Sequence, residues 1–489
     1  MTTNNVSKRI LGPFNRVEGD LEVTVEITAN VVSKAWVNAP LFRGYEQILQ
    51  GKDPRDTLVY TPRICGICSV SQSVAAATAL AKTQNIVAEL NGQLSTNIIL
   101  ATENMADHLS HFYLFFMPDF ARNCYDKQLW FAKVSQRFKA QTGSVLKQLL
   151  PARSSFMHIT GILAGKWPHS LAIQPGGTSK PVAVEEKIKL LTLVRAFRFF
   201  LEETLFGVPL ETVTELQNED ELSSLATLHP NSDLAIFLKI SRALQLSQLG
   251  KAYDRFMSYG AYELESSHLF QSGLWDQSLS ELDQKGIKED ISHSWLDIQS
   301  SPKHPYKGST IPGNDAEDGY SWCKAPRLNE QPVEVGAIAR QMVNAHPLIV
   351  DLVKKYGANV QNRILSRLLE LALVVPQMEN WIQLLQPGEP FCKQFVLPDE
   401  AQGAGLVEAA RGSLGHWLRI KNGKVLNYQI IAPTTWNFSP RDQNNKPGAL
   451  ELALEGTVVD TSFSTHLNEA ISLQHIIRSF DPCMVCTVH

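Results

Sequence analysis

Two Cys-x-x-Cys pairs, Cys65 with Cys68 and Cys483 with Cys486, stand near opposite ends of a 489-residue chain. Cysteines three apart in a turn or a first helical turn lie on one side of the backbone, a spacing that lets two thiolates grip one soft metal ion. Each pair supplies only half of a four-ligand site, so the fold has to bring the start of the chain to its end. The other three of the seven cysteines, Cys124, Cys323 and Cys392, are solitary and read as small buried hydrophobes. Seven cysteines in a chain of this length are too sparse for a disulfide scaffold.

Three kinds of centre compete for four thiolates. Zinc ribbons hold both pairs within about 15 to 20 residues, because there the metal replaces a missing core. This chain is 44% apolar and 19% charged, an ordinary globular balance with ample core of its own. Iron-sulfur clusters draw at least three ligands from one local run, which is absent, and a redox-active nickel-type site is the third option. Glu18, Glu46, Arg63, Asp481 and the terminal His489 fall close to the same thiols, and acids beside a soft metal suggest proton handling. Taken singly, Glu18 reads as a strand-end surface acid, Glu46 as a helix-surface acid and Asp481 as a cap.

With 45 basic and 49 acidic residues the chain is no nucleic-acid coat, and no run of 18 apolar residues offers a membrane span. Met1 to Arg9 lacks the apolar stretch of a secretory signal, so a cytoplasmic protein is expected, membrane-associated only through partners.

Residues 21–37 alternate apolar and polar, predicting a β-hairpin, and a second is predicted over about 405–431 with Asn422-Gly423 as a type I′ turn. Between them, helical spacing runs over 71–82, 88–116, 182–206, 232–249, 333–356 and 358–385, with Gly357 as a C-cap. Residues 275–327 are rich in Asp, Ser, Pro and Gly and read as an irregular surface insertion; a last helix is expected over 466–480. The expectation is a single domain over 1–489, mainly α with small peripheral β-sheets.

Arg63-Ile-Cys-Gly-Ile-Cys68 and Asp481-Pro-Cys-Met-Val-Cys-Thr-Val-His489 resemble the paired signatures of nickel-iron hydrogenase large subunits. Arg16-Val-Glu-Gly19, Leu41-Phe-Arg-Gly44, Glu408-Ala-Ala-Arg-Gly412, Ala432-Pro-Thr-Thr-Trp-Asn437 and Ser439-Pro-Arg-Asp442 agree with that family in order, over essentially the whole chain. The resemblance implies a helical-bundle large subunit that splits dihydrogen heterolytically. Cys65 and Cys483 would be terminal nickel ligands, and Cys68 and Cys486 would bridge nickel to an iron carrying CO and two cyanides. The proton would pass to Cys483 and then to Glu18. Arg411 would hang over the metals, restrained by Asp107 and Asp481; Thr434 and the Pro433 backbone would hold a cyanide; Glu46 and His489 would ligate magnesium.

The resemblance also implies an iron-sulfur small subunit in an obligate heterodimer, compatible with a dimer of heterodimers, across an interface above about 2,000 Å². Gln72 stands where most members have histidine, Asp20 replaces another histidine, and Ala410 replaces a proline. Gln72 resembles the hydrogen-sensing members that signal to a histidine kinase. Ile67 and Phe115 fall where many members carry smaller side chains at the inner end of the gas tunnel. An uptake enzyme feeding a quinone pool is the alternative within the family, and a zinc-bearing, non-catalytic subunit of a respiratory complex is the alternative outside it. A chain ending on His489 matches a processed member or one made without a C-terminal extension.

Overall fold

The structure is a computed structural model that describes residues 6–297, 301–313, 318–394, 396–459 and 470–489. The chain opens on a three-stranded antiparallel sheet, Val6–Leu11, Glu22–Thr28 and Val31–Asn38, in sequence order. Val23, Val25 and Ile27 put one face of the central strand into the core, as their alternation predicts. The first strand adds to that hairpin by pairing Arg9 with Val25; its own pattern, broken by Lys8-Arg9, gives no strand signal.

Helices then fill the centre. Ser69–Lys82, Leu90–Ser110, Leu146–Ala164, Val184–Phe200 and Val360–Leu384 are the long ones, and the first, second and last are buried around most of their circumference. Such a helix carries no clean polar stripe and belongs inside a large protein. Leu90–Ser110 runs into a π-helical turn, His111–Phe116, so the helical spacing over 88–116 is real but changes pitch. Val184–Phe200 ends the same way, in the π turn Leu201–Phe206.

The second sheet has three strands, Ala401–Ala409, Gly412–Lys421 and Lys424–Ile431, one more than the expected hairpin. Asn422 and Gly423 take φ of 53° and 65°, the paired left-handed conformations of a type I′ turn. This sheet lies directly on the Ser69–Lys82 helix: a Cβ on Gly405 would sit 1.9 Å from the Ala75 carbonyl oxygen. Glycine there permits the approach that seats the sheet over the first thiol pair.

Several expectations need correction, among them the burial of Cys124 and Cys392, which are exposed, while Cys323 is buried. The helix expected over 333–356 is two helices, Ala337–Val343 and Pro347–Tyr356, because Ala345 is left-handed (φ 54°) and Pro347 starts a new helix. The helix of 232–249 stops at Ala243. A long hairpin, Arg255–Leu264 with Ser267–Asp276, was not foreseen; seven consecutive residues of its first strand are buried, which erases the alternation that marks a half-exposed strand. The stretch 275–327 is not surface throughout: Ser321, Cys323, Lys324 and Ala325 are buried, and Lys324 lines the same small cavity as His489. The last helix is Ile471–Ser479; residues 466–469 of that expectation lie outside the described residues.

Candidate metal centre

The four thiols of the two motifs converge. The sulfurs of Cys65, Cys68, Cys483 and Cys486 all lie within 4.8 Å of one another, the one such cluster of potential metal ligands among the described residues. Cys65 sits in the turn before the Ser69–Lys82 helix, and Cys68 is that helix's N-cap residue. Cys483 is the N-cap residue of a last helical turn, Met484–Thr487, and Cys486 lies inside it.

The N-terminal strand region fixes the second pair. Glu18 forms a parallel bridge with Cys483, its N–H donating to the Pro482 carbonyl at 3.3 Å and its carbonyl accepting from Met484 N–H at 2.7 Å. A sequence segment from the first twentieth of the chain is thus hydrogen-bonded to the last. The Thr434 hydroxyl accepts from Cys483 N–H at 3.1 Å, and Pro433 opens the short Pro433–Asn437 helix beside it.

The sulfurs are too close for four neutral thiols that merely pack. Cys483 and Cys486 are 2.8 Å apart, Cys68 and Cys486 3.1 Å, Cys65 and Cys483 3.5 Å. A tetrahedral zinc with bonds of about 2.3 Å would space its sulfurs by about 3.8 Å. These three separations are shorter and the others lie within 4.8 Å, so the sulfurs do not form a regular tetrahedron of that size. Cys65 is held well below the usual thiol range by hydrogen bonds from Cys483, Cys486 and Cys68; Cys68 is pushed well above it by its contacts with Cys483, Cys486 and Cys65, and Cys486 chiefly by burial and then by its contacts with Cys483 and Cys65. Four thiolates cannot coexist in this volume without cationic charge among them.

Arg411 supplies a fixed cation beside the sulfurs. It occupies the two-residue turn Ala410-Arg411 between two strands, and Gly412 takes φ 127° to make that turn. Its Nε donates to the Asp481 carbonyl at 3.0 Å, and its Nη2 to Asp107 and Asp481 at 3.1 Å each. Nη1 lies 2.9 Å from Asp107 as an ion pair but makes no well-directed hydrogen bond, leaving a buried donor for a further acceptor. Burial pushes the Asp107 carboxyl up to about 7 against the pull of Arg411. Burial also opposes the Asp481 charge, yet Arg411, His111 and Arg367 hold that group below its ordinary value.

Glu18 is half-buried, and its carboxyl is raised by that burial and by the Cys65 charge, with Arg411 pulling it down. Its expected surface-acid reading therefore fails on the side facing the thiols. The surface reading of Glu46 fails outright, at 1% exposure.

Glu46, His489 and the Ile430 carbonyl form a second convergence. His489 Nδ1 faces the Cys486 carbonyl at 3.1 Å, while Nε2 faces the Ile430 carbonyl at 3.0 Å and Glu46 at 3.4 Å. Glu46 Oε2 is buried with no hydrogen-bond donor. Burial opposes the Glu46 charge, but Lys324 and His489 bring its carboxyl down to about 2. Oxygen and imidazole donors turned on one point suit a hard divalent ion completed by water.

Several residues of the site gave no sequence signal. Glu103 accepts from Val70 and Ser71 N–H at 2.8 and 2.9 Å, anchoring the first turn that carries Cys68, and from the Trp167 indole. Lys324 and Glu289, from the stretch expected to be surface, stand 3.2 Å apart beside Glu46. Asp119 gathers Arg478, Arg16 and His475 beneath the N-terminal segment and is held well below the carboxylate range by them against its burial. Gln72 is buried and its Oε1 accepts from His416 Nε2 at 2.8 Å, and the other ring nitrogen meets the Tyr428 hydroxyl at 2.7 Å. Ile67 and Phe115 are half-buried, and Asp20 is exposed.

A helical body whose two ends close over a buried tetrathiolate, with an arginine clamped above it, defines a metalloprotein of the redox type. The sequence profile described as nickel-dependent hydrogenase matches residues 43–124 and 145–489, and the chain belongs to that family of oxidoreductases. It is 28% identical to the periplasmic NiFeSe hydrogenase large subunit of Desulfomicrobium baculatum, over 98% of this chain and 94% of that one. It is 28% identical to the hydrogenase-2 large chain of Escherichia coli K12 (99% and 97%) and 26% identical to an uptake hydrogenase large subunit of Afipia carboxidovorans (99% and 95%). The H2-activated NiFeSe hydrogenase of D. baculatum superposes with a TM-score of 0.85 at 26% identity, covering 99% of this chain and all of that one. No helix among the described residues is long and apolar enough to cross a membrane.

Proposed function

We propose that this large subunit converts H2 to two protons and two electrons at a nickel-iron centre held by Cys65, Cys68, Cys483 and Cys486. The observation that carries the reading is the convergence of four thiols from both chain ends within 4.8 Å. Cys65 and Cys483 would be ligands of nickel and Cys68 with Cys486 would serve nickel and iron, the iron carrying CO and two cyanides. When bound, such a centre polarises H2 and accepts its electrons.

The chain's own residues handle the rest. The Cys483 sulfur takes the proton, and Glu18, whose backbone is paired to Cys483, carries it outward. Arg411 offers its unsatisfied Nη1 to a cyanide nitrogen, while Asp107 and Asp481 keep the guanidinium from swinging. Thr434 and Pro433 would hold the second cyanide, and Glu46, His489 and the Ile430 carbonyl would hold magnesium, which would share Glu46 with the Lys324 ammonium 3.7 Å away.

Electrons have to leave, and the cluster is the one thiol-metal site among the described residues, so an iron-sulfur small subunit completes the enzyme as an obligate heterodimer. Gln72 in place of the family's histidine, with Ile67 and Phe115, supports the hydrogen-sensing type that signals to a histidine kinase. The uptake and periplasmic relatives favour the alternative, steady turnover into a quinone-linked chain. Elemental analysis of the purified heterodimer tests the centre: about one nickel per heterodimer is expected, with iron in excess because the partner's clusters add to it, and zinc in place of nickel would overturn it. Slow H2 oxidation with a kinase co-purifying decides for the sensor; rapid turnover with a quinone analogue decides for uptake.

A further inference from the structure

We infer that Arg340 is a positioning residue for Arg411, acting through the backbone of the turn that presents it. This rests on the role assigned to Arg411 above and extends it to a residue no motif marks. Arg340, in the Ala337–Val343 helix, is 1% exposed and uses all three guanidinium nitrogens. Nη1 donates to the Ala409 carbonyl at 2.9 Å and to Glu408 at 2.7 Å. Nη2 donates to the Ala410 carbonyl at 3.0 Å and to Glu370 at 2.9 Å, and Nε to Glu370 at 3.0 Å. The two carbonyls belong to the residues immediately before Arg411.

Both ends of the clamp are fixed. Glu370, on the Val360–Leu384 helix, also meets His108 at 3.3 Å on Leu90–Ser110, the residue next to Asp107. Glu408 also accepts from Tyr259 N–H at 2.8 Å and from the Ser413 hydroxyl at 2.6 Å, so it ties the strands on both sides of the turn. A guanidinium has the planar fork this demands, and an ammonium does not. The Ala409-Ala410 peptide is thereby held in one orientation, and the Arg411 side chain leaves the backbone from a fixed point.

The test is a double-mutant cycle on the heterodimer with Arg340→Lys, Arg411→Lys and both together, reading nickel and iron content, thermal unfolding, H2 turnover and the infrared bands of iron-bound cyanide. Arg340→Lys is expected to keep its metals, to lose about 10- to 100-fold in turnover, and to move the cyanide bands in the same direction as Arg411→Lys. The double variant is expected to be no slower than Arg411→Lys alone, because both changes remove one effect. Wild-type turnover and unshifted bands in Arg340→Lys, or losses that multiply in the double variant, would overturn the proposal. Wild-type turnover in Arg411→Lys would instead overturn the role given to Arg411. If Arg340→Lys does not accumulate as folded protein, the charge-compensated pair Arg340→Gln with Glu370→Gln carries the same expectations and the same refutation.

Discussion

At the scale of single residues, the two motifs and their neighbours were readable because chemistry demands particular side chains in fixed order. Cys65, Cys68, Cys483 and Cys486 could be picked out by spacing alone, and their convergence is the simplest consequence of that spacing. Glu103, Arg340 and Lys324 could not, because a lone charge in a helix or loop reads as a solvated face until tertiary structure buries it. Glu18 makes the sharpest test. Its pairing to Cys483 is entirely main-chain, so Glu18→Gln leaves the bridge intact and changes only whether a proton can be accepted. H2/D+ exchange is expected to fall at least about 100-fold with nickel and iron undiminished, and retained exchange would take Glu18 out of the path. Cys486→Ala acts differently: its sulfur is the close neighbour of two others, at 2.8 and 3.1 Å, so its loss opens the cluster. Purified variant should carry less than roughly a tenth of the wild-type nickel, since metal binding at a thiolate site depends on its full ligand set.

At the scale of elements, period decides what can be foreseen. The Glu22–Thr28 strand alternates and was legible, whereas Arg255–Leu264 is buried on both faces and was not. Packing between elements is where a small change should matter most. Gly405→Ala places a methyl 1.9 Å from the Ala75 carbonyl oxygen and 2.7 Å from Ala79 nitrogen, backbone atoms of the helix that Cys68 caps. The sheet has to lift, at an expected cost of about 1–3 kcal/mol in denaturant unfolding, and metal occupancy should drop with it.

Glu451 tests the seam between the N-terminal sheet and the Ala449–Leu454 helix, where it accepts from Val37 N–H at 3.0 Å and the Tyr320 hydroxyl at 2.8 Å. Burial raises it to about 7 from 4.5, so the folded chain binds this proton more tightly than the unfolded one. Its contribution is greatest below pH 4.5 and is lost as pH rises toward 7. Buried His111 and His416, lowered to about 3 chiefly by desolvation, tilt the total the other way. The clean measurement is therefore the difference: Glu451→Gln should gain on wild type by about 1–3 kcal/mol between pH 4.5 and 7 in urea unfolding. A pH-independent difference would place the wild-type carboxyl near its ordinary value.

At the scale of the whole molecule, the architecture is a ring closed by its own termini. Glu18 pairs with Cys483, Val32 N–H donates to the Thr457 carbonyl at 3.0 Å, and His489 reaches the Ile430 carbonyl. Closure was legible from cysteine spacing; the route was not, because hydrogen bonds between distant backbone segments leave no trace in side-chain pattern. Two forces hold the tail, and they can be separated. Met484, Cys486, Thr487 and Val488 are buried, which the apoprotein retains, whereas the clustered sulfurs gain from metals and lose by crowding without them. Metals bound at 1,000 times their dissociation constant add about 4 kcal/mol to the folded state. That gain falls on the last nine residues and their neighbours, where the ligands lie, so local opening of the tail should respond more than the distant bundle. Heterodimer produced without nickel should therefore show faster amide hydrogen exchange over residues 484–489 while its helical circular dichroism persists, and the loaded enzyme should resist. Equal resistance in both preparations would mean that apolar burial alone closes the ring and that the thiol pairs arrive preassembled.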